Sequence, residues 1–267
     1  MANVRTINPS YKNDNALIAF INNLPDSFED KGDLLWNGRN KIKTFELTTK
    51  DTEGNTEKMV VKRFKKPNLI QKLGYIFRSH KARKAFENGM EMKHRDIDTP
   101  EPIAFVEKRK GLFLTDAYYI CQELKDNTEI IKAFEKEEWD KNIAKALAHF
   151  FAKLHKRGIL HHDLNNTNIL FTKKDKDYHF TLIDINRVTF YNSIEDIPMR
   201  MRIENMTRFS GRYDLFLFIA KEYATACGIS NPEQWAEQAI CQKKEHDRNW
   251  KMRKTITHPL RALSKRS

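Results

Sequence analysis

The segment His161-His162-Asp163-Leu164-Asn165-Asn166-Thr167-Asn168-Ile169-Leu170 sets one carboxylate and three carboxamides between apolar runs. Ile159-Leu160 leads into it, and Thr181-Leu182-Ile183-Asp184-Ile185-Asn186 follows. The pattern predicts a loop carrying Asp163 and Asn168, then a strand that ends at Asp184. Asp163 has the chemistry to orient a hydroxyl and accept its proton. Magnesium takes hard oxygen ligands and keeps several waters, so one or two protein groups are enough to hold it. Asn168 and Asp184 fit that need. The set suits a metal-bound triphosphate beside a hydroxyl nucleophile, where the metal and a nearby Lys stabilise charge on the transferring phosphoryl group.

Asp163 and Asn168, with a His two residues before the Asp, have the spacing of the kinase catalytic loop. The loop resembles that of the protein-kinase-like fold, and its His-x-Asp-Leu-Asn form is closer to the small-molecule and sugar kinases. Asp184-Ile185-Asn186 stands where protein kinases have Asp-Phe-Gly. Within that superfamily, HHDLNNTNILF together with LIDINR most resembles the lipopolysaccharide kinases (the Kdo/WaaP family), which phosphorylate Kdo or heptose of the inner core. The segment IDTPEPIAFVE, Ile97 to Glu107, is also similar to that family. The resemblance runs from about Leu34 to about Gly228. It implies an α+β, two-lobed protein-kinase-like fold. Residues 33–124 are expected to form a small β-rich N-lobe, 125–267 a larger and mostly helical C-lobe, and 1–32 an extension packing on the N-lobe. It also implies ATP and Mg2+ as cofactors and a lipid-linked sugar as acceptor, Kdo of Kdo-lipid A above all. His161 is generally a structural residue in kinases. His162 replaces the Arg with which many protein kinases read a phosphorylated activation loop, so regulation by that route is not expected.

The resemblance assigns further residues in order. Leu34-Leu35-Trp36 reads as a strand end, Asn37-Gly38-Arg39-Asn40 as a turn and Ile42 to Thr48 as the return strand. In a kinase this hairpin covers the nucleotide phosphates with backbone N–H groups. The single Gly38 departs from the Gly-x-Gly-x-x-Gly pattern, and Arg39 offers an added charge. After a hairpin turn at Asp51 to Asn55, Met59-Val60-Val61-Lys62 resembles the Val-Ala-Ile-Lys strand, which makes Lys62 the residue expected on the α- and β-phosphates. Lys62 needs a carboxylate from the next helix, expected from about Lys81 to Met92. Glu87 and Glu91 lie one turn apart there; Glu87, nearer mid-helix, is chosen and Glu91 stays open. Ile120-Cys121-Gln122-Glu123-Leu124 ends a strand where kinases place the hinge, so the backbone of Glu123 and Leu124 is expected against adenine. Trp139 to His155 predicts a helix with Ile143, Leu147, Phe150, Phe151 and Leu154 on one face and Gly158 just beyond its end.

Residues 190–205 carry no Ala-Pro-Glu closure, and they are expected to shape the acceptor site, with Arg200 and Arg202 as candidates for an acidic sugar. That missing closure and Asn165, in the region where protein kinases usually carry a Lys or Ala/Arg, weigh against a protein Ser/Thr kinase. A small-metabolite (aminoglycoside-like) kinase is a further alternative. A pseudokinase is disfavoured because Lys62, Glu87, Asp163, Asn168 and Asp184 are all filled.

The net charge is +12. From Lys62 to Lys84 there are nine Lys/Arg and no acid, with Leu69, Ile70, Leu73, Ile76 and Phe77 among them at helical spacing. Gln242 to Ser267 adds nine more against two acids. A basic amphipathic helix suits an anionic membrane surface, and an ordinary packed helix is the equal alternative. Basic charge alone also gives nonspecific nucleic-acid affinity, yet no aromatic-basic recognition motif is present and no specific nucleic acid is expected. The three cysteines, Cys121, Cys227 and Cys241, are widely spaced. They form no disulfide framework or metal motif, which favours a reducing compartment. With no leader pattern and no apolar run of spanning length, a cytoplasmic protein peripheral at the inner face of the cytoplasmic membrane is expected.

Overall fold

A computed structural model describes residues 2–48, 56–175 and 177–263, with side chains placed over 4–47, 56–175 and 177–252. The turn expected at Asp51 to Asn55 and the last part of the basic C-terminal stretch lie outside the described residues and side chains. The chain divides into two compact units, one of residues 1–127 with 181–187, the other of 128–180 with 188–267.

The first unit is built on β1 (Ala2–Ile7), α1 (Asn15–Ser27), β2 (Asp33–Asn37), β3 (Lys41–Thr48), β4 (Thr56–Arg63), α2 (Leu69–Phe77), α3 (Lys81–His94), β5 (Pro102–Lys110) and β6 (Phe113–Gln122). The six strands form one sheet in the order β1-β5-β6-β4-β3-β2, with antiparallel pairs throughout. Residues 1–32 do more than the peripheral packing expected of them. Ala2–Ile7 adds an edge strand on β5, and Leu17, Ile21, Leu24 and Phe28 join Phe45, Met59, Val61 and Ile120 in the core. The Asp14 carboxylate accepts from the Leu17 amide at 2.9 Å and starts α1. The helix runs through Pro25 to Ser27. Burial of the Leu17, Ile21, Leu24 stripe outweighs the one backbone bond that Pro25 removes.

On α3, Ala82, Ala85, Phe86, Gly89 and Met92 face inward. A Cβ at Gly89 would come within 2.6 Å of the Pro102 ring and 3.1 Å of Ile185. Glycine there lets α3 approach both β5 and the turn after Asp184. Helix α2 opens with a full capping box between Asn68 and Gln71. It buries none of its residues.

The second unit holds β7 (Thr128–Glu129), α4 (Lys141–Lys156), β8 (Ile159–His161), β9 (Ile169–Lys174), β10 (Asp177–Leu182), β11 (Val188–Phe190), α5 (Met199–Met206), α6 (Tyr213–Ala226) and α7 (Pro232–Leu263). Helix α4 is capped by Asp140 and buries Ile143, Leu147, Phe151 and Leu154. It ends at Gly158, whose φ of 70 is the left-handed value a C-terminal glycine supplies. β8 pairs with β11, and β10-β9-β7 make a small sheet. These short strands hold the two ends of the His161–Asn168 loop.

Candidate active site

In the second unit the His161–Asn168 loop is tied from several sides. His161 is fully buried, and its Nδ1 accepts from the Asp163 amide at 3.2 Å. Its carbonyl accepts from Asn205 Nδ2 at 2.6 Å. The Asn205 side-chain oxygen in turn meets His155 Nε2 at 3.0 Å, and His155 Nδ1 meets the Tyr223 hydroxyl at 2.7 Å. A buried chain of polar groups from α6 through α4 and α5 therefore fixes the loop backbone. Burial holds the His155 imidazole neutral, with a pKa pushed down to about 4. Asn165 organises the other side: its Oδ1 accepts from the Thr167 amide at 3.1 Å, the Thr167 hydroxyl at 2.7 Å and the Asn168 amide at 3.1 Å. This local capping is the work asparagine does best in turns.

Asp163 points into a cavity of about 550 Å³ lined by residues of the same unit. Arg208 Nη1 donates to Asp163 Oδ1 at 3.2 Å and to the His162 carbonyl at 3.3 Å. Asn168 Nδ2 donates to the Asp163 carbonyl at 2.9 Å. That bond fixes which end of the carboxamide is the amine and so orients Oδ1, the atom a hard cation would take.

In the first unit, Lys62 Nζ on β4 donates to Asp184 Oδ1 at 2.5 Å. Asn186 Nδ2 donates to the same oxygen at 2.6 Å. Asp184 has a φ of 56, a left-handed conformation that Asp tolerates better than most residues. The turn is anchored by Asn88 Nδ2, which donates to the Ile185 carbonyl at 2.7 Å, and by the Leu182 amide, which donates to the Asp98 carbonyl at 2.9 Å. Lys81, the first residue of α3, has its pKa lowered by burial first and then by Arg39 and Arg187, with Asp184 acting the other way. Lys81 therefore feels the charges of Arg39, Arg187 and Lys62 as well as that of Asp184.

The carboxylate expected for Lys62 is not supplied by α3. Glu87 Oε1 accepts from Arg83 at 2.7 Å and Glu91 Oε1 from Arg95 at 2.6 Å. Both are i,i+4 partners along the helix, so each glutamate is held on its own surface. Asp184 fills that place in this structure. Of the residues expected over the phosphates, Asn37 pairs with Lys41, and Gly38 donates its amide to the Asn40 carbonyl at 3.2 Å. A Cβ on Gly38 would come within 2.5 Å of the indole nitrogen of the exposed Trp36, so a larger residue there would have to displace that ring. The Asn40 side chain accepts from the Lys65 amide at 3.1 Å. At the expected hinge, the Glu123 amide donates to the Lys58 carbonyl at 2.9 Å, so that donor is engaged in the sheet, and Leu124 follows directly.

Arg200 and Arg202 are the residues expected near an acidic acceptor. Arg202 adjoins Tyr223 and Cys227 inside the helical unit, and the Arg200 carbonyl receives Gln242 from α7. Lys81 and Arg208 are the residues that sequence reasoning passes over. Each is one cation in a basic background, far along the chain from the carboxylate it serves.

Comparison with known proteins agrees with this geometry. The lipopolysaccharide kinase (Kdo/WaaP) family matches the chain over residues 28–210. A 3-deoxy-D-manno-octulosonic acid kinase from Vibrio vulnificus (strain YJ016) is 27% identical over 104 residues, 38% of this chain. The match spans 44% of that relative, under half its length. A solved structure of WaaP in complex with acyl carrier protein superposes with a TM-score of 0.56 at 13% identity. It covers 91% of this chain and 99% of its own, a likeness of fold.

Proposed function

Since the chain belongs to the lipopolysaccharide kinase (Kdo/WaaP) family, we propose that it transfers the γ-phosphate of ATP to a sugar hydroxyl of the lipopolysaccharide inner core, with Kdo of Kdo-lipid A as acceptor. The observation that carries this reading is the Lys62–Asp184 ion pair at 2.5 Å, held with Asn186 on the same carboxylate oxygen. A lysine and a carboxylate kept together suit a metal-bound triphosphate, the lysine for phosphate and the carboxylate for the metal.

In this reading Lys62 and Lys81 hold the phosphates, and Asn37, Gly38, Arg39 and Asn40 lie over them. Glu123 and Leu124 offer backbone to adenine through groups other than the engaged Glu123 amide. Asp184 in the first unit and Asn168 in the second each carry a hard oxygen of the kind Mg2+ takes, and the metal would neutralise charge on the phosphoryl group. Asp163 accepts the acceptor hydroxyl proton as the new oxygen–phosphorus bond forms and the bond to ADP breaks. Arg208 holds the Asp163 carboxylate in place. Glu87 has no part in this scheme beyond its helix surface.

The reading extends to a site of action on the cytoplasmic face of an anionic membrane. No helix among the described residues is long and apolar enough to cross a membrane. Helix α2 leaves Leu69, Ile70, Leu73 and Phe77 between 57% and 89% exposed. An apolar stripe set among lysines and arginines is the composition of a surface-lying helix.

The mechanism is tested by Asp163→Ala. Turnover should fall by about a thousandfold or more, while ATP affinity by calorimetry stays within about twofold. Full turnover in that variant would remove Asp163 from the chemistry.

A further inference from the structure

Resting on the kinase reading above, we propose that the acceptor binds in the cavity walled by the catalytic loop, the loop after α5 and helix α7, and that this cavity takes an anionic sugar. Its volume, about 550 Å³, lies in the range of small-molecule sites. Asp163, Arg208, His246, Trp250 and Lys251 line it. A hydroxyl bound there lies beside the proposed base. The cavity is lined by the second unit alone, without Arg39, Lys62, Lys81 or Asp184, so it is not the triphosphate cluster under another name.

Helix α7 gives the cavity its charge and shape. Lys243 is only 2% exposed and donates to both oxygens of Asp247, at 2.9 and 2.7 Å. Its ammonium also lies 5.9 Å from the Tyr213 ring centre and 5.8 Å from that of Phe216. A buried ion pair contributes little stability that apolar packing could not match, and its best-attested use is to fix geometry. Here it fixes Asp247, whose Oδ1 lies 3.2 Å from His246 Nδ1. That contact sets the His246 ring on the wall. Three lining cations, Arg208, Lys243 and Lys251, face two carboxylates, Asp163 and Asp247. The balance is positive before His246 is counted, which favours an acidic ligand. Trp250 is half exposed and lines the cavity, and an indole is a side chain that packs on the C–H side of a sugar ring.

The test is steady-state kinetics of Trp250→Ala and Lys251→Gln with Kdo-lipid A and ATP each varied. The expected result is a KM for Kdo-lipid A raised about tenfold in both variants, a KM for ATP within about twofold of wild type, and recovery of acceptor KM by Lys251→Arg. Wild-type acceptor KM in both variants overturns the assignment while leaving the kinase reading intact. Calorimetric titration of Kdo-lipid A without ATP gives a readout independent of turnover. Binding that Trp250→Ala weakens supports the cavity, and equal binding by variant and wild type overturns it. A wild-type protein that binds no Kdo-lipid A overturns it together with the acceptor proposed above.

Discussion

At the scale of residues, the account turns on a few side chains whose partners come from far along the chain. Lys81, at the start of α3, feels the charges of Arg39, Arg187 and Lys62. Lys81→Ala should raise the KM for ATP about tenfold, equivalent to about 1.4 kcal/mol of lost binding; an unchanged KM would remove it from the phosphate cluster. His155 has a folded pKa of about 4, below the ordinary 6.5. A depressed pKa means that its stabilisation is fully present above pH 6.5 and is lost as pH falls from 6.5 towards 4. The full loss is about 3 kcal/mol. Urea unfolding at pH 7 and pH 4.5 should show a smaller drop in His155→Leu than in the wild type. Parallel drops would place the acid sensitivity elsewhere. The polar residues of the His161–Asn168 loop stand out in the sequence because their spacing is local and their chemistry is unusual. Lys81 and Arg208 do not, because nothing within a few residues of either marks it out from its neighbours. For Lys62 the structure shows Asp184 as the partner in place of a glutamate from α3. Glu87 and Glu91 both have a helical spacing that fits, and each is taken by an arginine four residues away on its own helix.

At the scale of elements, the amphipathic helices were the readable part. α4 shows a clear apolar stripe, an Asp140 cap and Gly158 beyond its end. Gly158→Ala should therefore cost about 1 kcal/mol in unfolding free energy without touching the site. β1 was not readable, since an edge strand on β5 is specified by backbone pairing more than by a hydrophobic alternation. The passage of α1 through Pro25 is not legible locally, because tertiary burial overrides a local breaker there. Asn205, on α5, links α4 to the His161 carbonyl. Asn205→Leu should lower stability by about 1–3 kcal/mol by stranding a buried carbonyl and a buried imidazole, and kcat should fall with ATP KM unchanged. A variant of native stability and turnover would show that the link is dispensable.

At the scale of the whole molecule, a net charge of +12 and an exposed apolar face on α2 point the same way. Co-sedimentation with phosphatidylglycerol vesicles should be strong at low salt, weak with phosphatidylcholine, and reduced by Phe77→Glu. Equal binding to both vesicle types would argue against an electrostatic surface role. The central claim is more direct than any of these: the chain phosphorylates a sugar of the inner core. The measurement that tests it is transfer of label from γ-labelled ATP, with magnesium present and purified Kdo-lipid A offered beside a generic protein substrate. The account predicts label in the glycolipid, lost on Asp163→Ala. Label in the protein alone, or none in the glycolipid with ATP still bound, would contradict it.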